Sequence, residues 1–157
     1  MLRESHSLIE GNSHFVSGYT VSTHVANVTN SVRRAPYTVD MATNPLTFTH
    51  IQDGAQPDGL SPTSNGSPHA AGEMWASVLW DVYVRLLNTY DFDEAESRMA
   101  DYLVAGYKMT PIAPTYTEAR DAILAPMYAN ERDDYVRALE AFARRGMGLG
   151  AVSPARG

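Results

Sequence analysis

The residues from about Ala70 to Tyr90 constrain this chain more than any others, because their pattern admits only one regular structure. Ala71, Trp75, Val78, Leu79, Val82 and Leu86 recur at helical spacing, which gives an apolar face when the segment coils at roughly 3.6 residues per turn. Glu73, Ser77, Asp81 and Arg85 step by four along another face and form a narrow polar stripe. Little of the circumference is left for water, so the helix reads as largely buried. His69 stands where the chain leaves a loop to enter that helix. A titratable ring at the mouth of a buried helix is held rigidly and can be aimed at a cleft, which makes His69 the first candidate for chemistry. The competing reading is a histidine that only packs or caps.

Three more helices are expected downstream. One spans Asp93 to Tyr107, with Met99, Tyr102 and Leu103 on its inner face. The next begins after Pro114, where Thr115 and Glu118 have capping-box spacing, and Pro126 is expected to end or kink it. The last runs from about Asp133 to Arg145, with Tyr135, Val136, Leu139, Phe142 and Ala143 as its apolar stripe and Gly146 as its C-terminal cap.

Residues 1–67 are different in kind: rich in Ser, Thr, Asn, Gly and Pro, with short β-branched runs such as Tyr19 to Val25. Asp53 to Pro68 is the stretch most expected to be flexible. The fold class is therefore mainly α: an antiparallel bundle of about four helices preceded by an irregular, loop-rich arm with few short strands. The arm (1–67) and the bundle (68–150) together make one domain, and 151–157 forms a frayed tail.

Composition narrows the function classes. With 157 residues the chain is long enough for one domain with a real core. A formal charge of −6 argues against nucleic acid or an anionic membrane as partner. No apolar run approaches the roughly 20 residues that cross a bilayer, and the N-terminus shows no signal-peptide pattern. The absence of cysteine excludes thiolate metal sites, disulfides and cysteine nucleophiles. No Gly-x-Ser-x-Gly or Ser-x-x-Lys motif supports a serine hydrolase.

Five ordered blocks carry a more specific signal. Arg33-Arg34-Ala35-Pro36-Tyr37-Thr38-Val39-Asp40 is followed by Asn44-Pro45-Leu46-Thr47 and by His69-Ala70-Ala71-Gly72-Glu73-Met74-Trp75-Ala76. Then come Pro114 to Leu124, which contains Ala119-Arg120-Asp121-Ala122-Ile123, and Ala141-Phe142-Ala143-Arg144-Arg145-Gly146-Met147-Gly148. In this order and at these spacings, from about Phe15 to Ala151, the chain resembles the C-terminal part of the catalytic region of fungalysin zinc metallopeptidases, which are thermolysin-like.

That family holds zinc with two histidines of an HExxH helix and a more distant glutamate. Two histidines four apart share one helical face, and the glutamate between them polarises the metal-bound water. Here the histidines stand at 6, 14, 24, 50 and 69, no two are four apart, and none is followed by glutamate. Glu10-Gly11-Asn12-Ser13 looks superficially like the third-ligand segment but lies too close to Arg33. No zinc site is therefore expected in this chain; zinc belongs to the parent enzyme.

The resemblance implies roles for the blocks that are present. His69 would donate a hydrogen bond to the oxyanion that forms during peptide hydrolysis. One arginine of the Arg33-Arg34 pair would orient a substrate carbonyl or buttress His69, since a guanidinium offers paired donors and stays charged. Tyr37 could add a hydroxyl donor. Glu73 reads as a carboxylate complementing the helix N-terminus, Trp75 and Trp80 as core, and Arg120 with Asp121 as structural pairing.

The resulting expectation is the helical C-terminal subdomain of a secreted zinc metalloendopeptidase, inactive by itself. It would form one wall of the cleft, with the zinc-bearing N-terminal half of the same polypeptide and a peptide substrate as partners. Self-association is expected through the face that half would cover. The alternative is a stand-alone, non-catalytic interaction module that kept the fold.

Overall fold

The computed structural model describes residues 33–52, 54–61 and 67–154. The Tyr19–Val25 runs, the Glu10 segment and part of the Asp53–Pro68 stretch lie outside them. Among the described residues there are four α-helices and no strand: α1 (Pro68–Leu87), α2 (Phe92–Met109), α3 (Tyr116–Asn130) and α4 (Arg132–Arg144). The architecture is mainly helical, as the periodicity predicts. The chain divides into two compact units, Met1–Val84 and Arg85–Gly157, so the division falls within α1.

In the first unit, an irregular segment with one short 3-10 turn (Phe48–Ile51) precedes α1. Proline opens α1, where its missing N–H costs nothing, and the Ala71 amide donates back to the Ser67 carbonyl at 3.0 Å. The burial of α1 differs from the sequence expectation. Met74, Val78 and Val82 are buried, but so are Glu73, Ser77 and Asp81, each at most 2% exposed. Trp75, Leu79 and Trp80 are only half-buried. The polar stripe thus faces inward, because the preceding segment brings hydrogen-bonding partners to it.

In the second unit α3 packs against both α2 and α4. Asp91 caps α2 by accepting from the Glu94 amide at 2.9 Å. The expected capping box opens α3: the Thr115 amide donates to Glu118 at 2.8 Å, and the Glu118 amide donates to the Thr115 hydroxyl at 3.3 Å. Glu131 alone links α3 to α4, closing one helix and capping the next. Helix α3 does not end at Pro126 but continues to Asn130, whose side-chain amide donates to the Pro126 carbonyl at 2.8 Å. Burial of Pro126 and Met127 offsets the backbone hydrogen bond that proline forgoes.

At the end of α4, Gly146 has φ of +83°. Its amide donates to Ala143 at 3.0 Å and that of Met147 to Phe142 at 2.8 Å, the paired bonds of a Schellman cap.

The α4 face also departs from expectation. Phe142 is buried as expected, but Val136 is 49% exposed, and the residues buried with Phe142 are Asp134, Ala138 and Ala141. Asp134 draws that face inward. Its fully buried carboxylate accepts from the hydroxyls of Tyr90 and Tyr102, both at 2.9 Å, and from Arg98 and Arg137, both at 3.1 Å. Nearby, Gly106 lets α2 approach α3 closely: a Cβ there would fall 2.7 Å from Ile123 Cγ1 and 2.8 Å from its Cα.

Candidate functional site

The residues singled out by their chemistry all belong to the first unit, where the segment from Arg33 lies along the first half of α1. His69 is the second residue of that helix and is exposed. Its backbone carbonyl accepts a hydrogen bond from the Arg33 guanidinium at 3.0 Å. The structure therefore brings Arg33 and His69 together through a side-chain-to-backbone contact, and the imidazole has no hydrogen-bond partner among the described residues.

Arg34 goes elsewhere. Its Nε donates to Glu73 at 2.7 Å, and its backbone amide donates to the other oxygen of the same carboxylate. That second oxygen also accepts from the Ala35 amide at 3.4 Å. The Arg34 and Glu73 side chains are 11% and 3% exposed, so this is a buried ion pair with the extra hydrogen bonds such a pair requires.

One turn further along α1, Asn44 makes a second attachment. Its side-chain amide donates to the Pro36 carbonyl at 2.8 Å and to the Ser77 hydroxyl at 3.1 Å, while Ser77 donates to the Glu73 carbonyl at 2.8 Å. Tyr37 is half-buried and packs its ring against Trp80, with centroids 6.3 Å apart. His50 lies in the same unit with Nδ1 accepting the Thr47 amide at 2.9 Å. Burial, and then the positive charge of Arg34, push its imidazole below the ordinary histidine range.

An exposed imidazole on a stiff helix, backed by a guanidinium on the adjoining carbonyl, can donate a hydrogen bond to an oxygen that gains negative charge. The model of the fungalysin metallopeptidase family (M36) matches residues 5–151. The chain belongs to that family. It is 30% identical over 152 aligned positions to an extracellular metalloproteinase MEP of Neosartorya fischeri, covering 88% of this chain and 22% of that protein. It is 26% identical to extracellular metalloproteinase 2 of Arthroderma gypseum, covering 90% and 23% respectively. Extracellular metalloproteinase 2 of Trichophyton tonsurans is 25% identical, covering 83% of this chain and 21% of its own. The chain thus spans about a fifth of the length of these relatives.

Fungalysins are zinc metallopeptidases, yet among the described residues of this one no group of three or more His, Asp or Glu could hold a metal ion. The donor set for that zinc is not found there.

Reasoning from sequence overlooked Glu73, Asn44 and Ser77 as the groups that fasten the Arg33–Asn44 segment to α1. The signal was present: Glu73 and Ser77 belong to a polar stripe with four-residue spacing, and a stripe on a mostly buried helix must find partners.

Proposed function

We propose that this fungalysin chain is the helical C-terminal subdomain of a secreted zinc metalloendopeptidase and forms one wall of its substrate cleft. His69 donates a hydrogen bond to the scissile carbonyl oxygen as that oxygen becomes an oxyanion. Arg33 is the substrate-side arginine, since Arg34 is committed to Glu73. Tyr37 contributes through its ring on Trp80. The observation that carries this reading is the exposed His69 ring at the start of α1, in the family's motif block, with Arg33 on its own carbonyl. A donor that strengthens only as charge develops is worth about 2.7–4 kcal/mol of transition-state stabilisation.

The zinc and the general base come from an upstream part of the same polypeptide, so the isolated chain is inactive. Secretion follows by similarity from relatives named as extracellular proteinases. The second unit exposes Val104, Met109, Ile112, Leu149 and Val152. These side chains meet the upstream half in the complete enzyme and a second copy in the isolated chain.

The test is elemental analysis for zinc together with casein hydrolysis, on the 157-residue chain and on the longer polypeptide. The expected result is neither zinc nor hydrolysis from the chain, with chelator-sensitive hydrolysis from the longer form. Stoichiometric zinc and chelator-sensitive hydrolysis from the chain alone would overturn the reading and return His6, Glu10 and His14 to consideration. Light scattering of the same sample should show association at high concentration; a strict monomer contradicts the second-copy contact.

A further inference from the structure

We propose that Glu73 is the positioning residue of this site, the group that sets where Arg33 stands relative to His69. The proposal rests on the reading of His69 and Arg33 given above but goes beyond it, because that reading uses Glu73 only as the partner that occupies Arg34. The simple account of an acidic residue in the second turn of a helix is favourable interaction with the helix N-terminus, which a solvated carboxylate would satisfy. Glu73 is not solvated: it is 2% exposed. Both its oxygens are engaged, one by the amides of Arg34 and Ala35 and the other by Arg34 Nε.

Three donors from two consecutive residues fix both the position and the direction of the chain at that point. Arg33 is the very next residue, so its path is determined by the clamp. Glu73 also lies four residues after His69, one helical turn along α1. A single carboxylate therefore ties the backbone that carries the arginine to the helix that carries the histidine. The Asn44–Ser77 contact is a second staple one turn further on, which prevents the segment from pivoting about the first.

Substitution by glutamine does not preserve the clamp. Each carboxylate oxygen faces a donor, so in either orientation the new amide NH2 is set against an N–H that it cannot accept from.

The experiment uses the 157-residue chain, labelled with 13C and 15N, as wild type, E73A, E73Q and R33A. R33A defines the carbonyl 13C resonance of His69 when its guanidinium partner is missing. In E73A and E73Q that resonance should move toward the R33A position, while exchange of the Arg34 and Ala35 amides should quicken by about tenfold or more, as expected for losing a bond to a charged acceptor. Signals of α2 to α4 should stay in place. Should E73A fail to fold, E73Q, which keeps the side chain's size, gives the reading.

A fold that merely loses stability, with the His69 carbonyl at its wild-type position, would overturn the proposal. No substrate enters the measurement, so its failure is distinct from failure of the peptidase reading, which hydrolysis decides.

Discussion

Replacing Asp134 should be the most damaging single change in the second unit, and the structure allows its size to be worked out. The carboxylate is fully buried and has four donors: Tyr90 and Arg137 on one oxygen, Tyr102 and Arg98 on the other. The two guanidinium groups are each 30% exposed, so water can compensate them in part once the carboxylate is gone. The Tyr102 hydroxyl belongs to a residue only 5% exposed and has no such recourse. Leaving it unsatisfied costs about 1–3 kcal/mol, and removing one partner of a buried charged network about 3–5 kcal/mol in total.

D134A should therefore lower stability by about 3–5 kcal/mol, which for a chain of this length is a fall in Tm of roughly 6–20 °C. D134N should be milder yet still destabilising, because either amide orientation sets its NH2 against an arginine that cannot accept. Thermal unfolding followed by circular dichroism measures both. E140Q, which removes the exposed Arg85–Glu140 pair, is the control and should cost less than about 1 kcal/mol. A D134A melt within 2 °C of wild type, roughly the shift of 1 kcal/mol or less, would refute the argument that this carboxylate organises the packing of α4.

Three further expectations follow from single contacts. G106A should destabilise by about 1–3 kcal/mol in urea unfolding, despite alanine's better helix propensity, because its Cβ meets Ile123 at 2.7 Å; an increase in stability would show that α2 and α3 separate freely. Burial, reinforced by the hydrogen bond to Asp134 and its charge, pushes the Tyr102 hydroxyl up to about 12 from an ordinary 10. Its contribution should be complete below about pH 10 and lost as pH rises toward 12; Y102F should remove that alkaline loss, and alkaline melts identical for the two proteins would contradict it. His50 is shifted the other way, downward from 6.5, by burial and then by Arg34. Its contribution should be present above pH 6.5 and decline as pH falls below it; H50Q should flatten that part of the stability profile, and an unchanged profile would rule the group out.

How much could be read from sequence depended on whether apolar residues alone defined an element. The Thr115–Glu118 box and the Gly146 cap were legible because both are local: residue type and spacing fix the hydrogen bonds. The inner face of α4 was legible only at Phe142. A search for apolar repeats picks out Val136 and Ala143, but the buried stripe runs through Asp134, Ala138, Ala141 and Arg145. It begins on a charge, Asp134, whose burial depends on the distant partners Tyr90, Tyr102 and Arg98.

The same holds in α1, where the spacing shows Glu73 and Ser77 as a narrow polar stripe but not their partners, Arg34 and Asn44, which come from more than 30 residues upstream. The order of the motif blocks pointed correctly to the family. It could not separate Arg33, which reaches the His69 carbonyl, from Arg34, which closes on Glu73. Two adjacent arginines look alike in sequence, and only the partner distinguishes them.

The most direct test of the central claim is the turnover of H69A in the longer, zinc-containing polypeptide, measured on a peptide substrate beside wild type. Loss of one oxyanion donor predicts a kcat lower by about 10²–10³-fold with little change in KM, as for a group that binds the transition state more strongly than the substrate. A kcat equal to that of wild type would contradict the account and reduce His69 to a surface residue at the start of a helix.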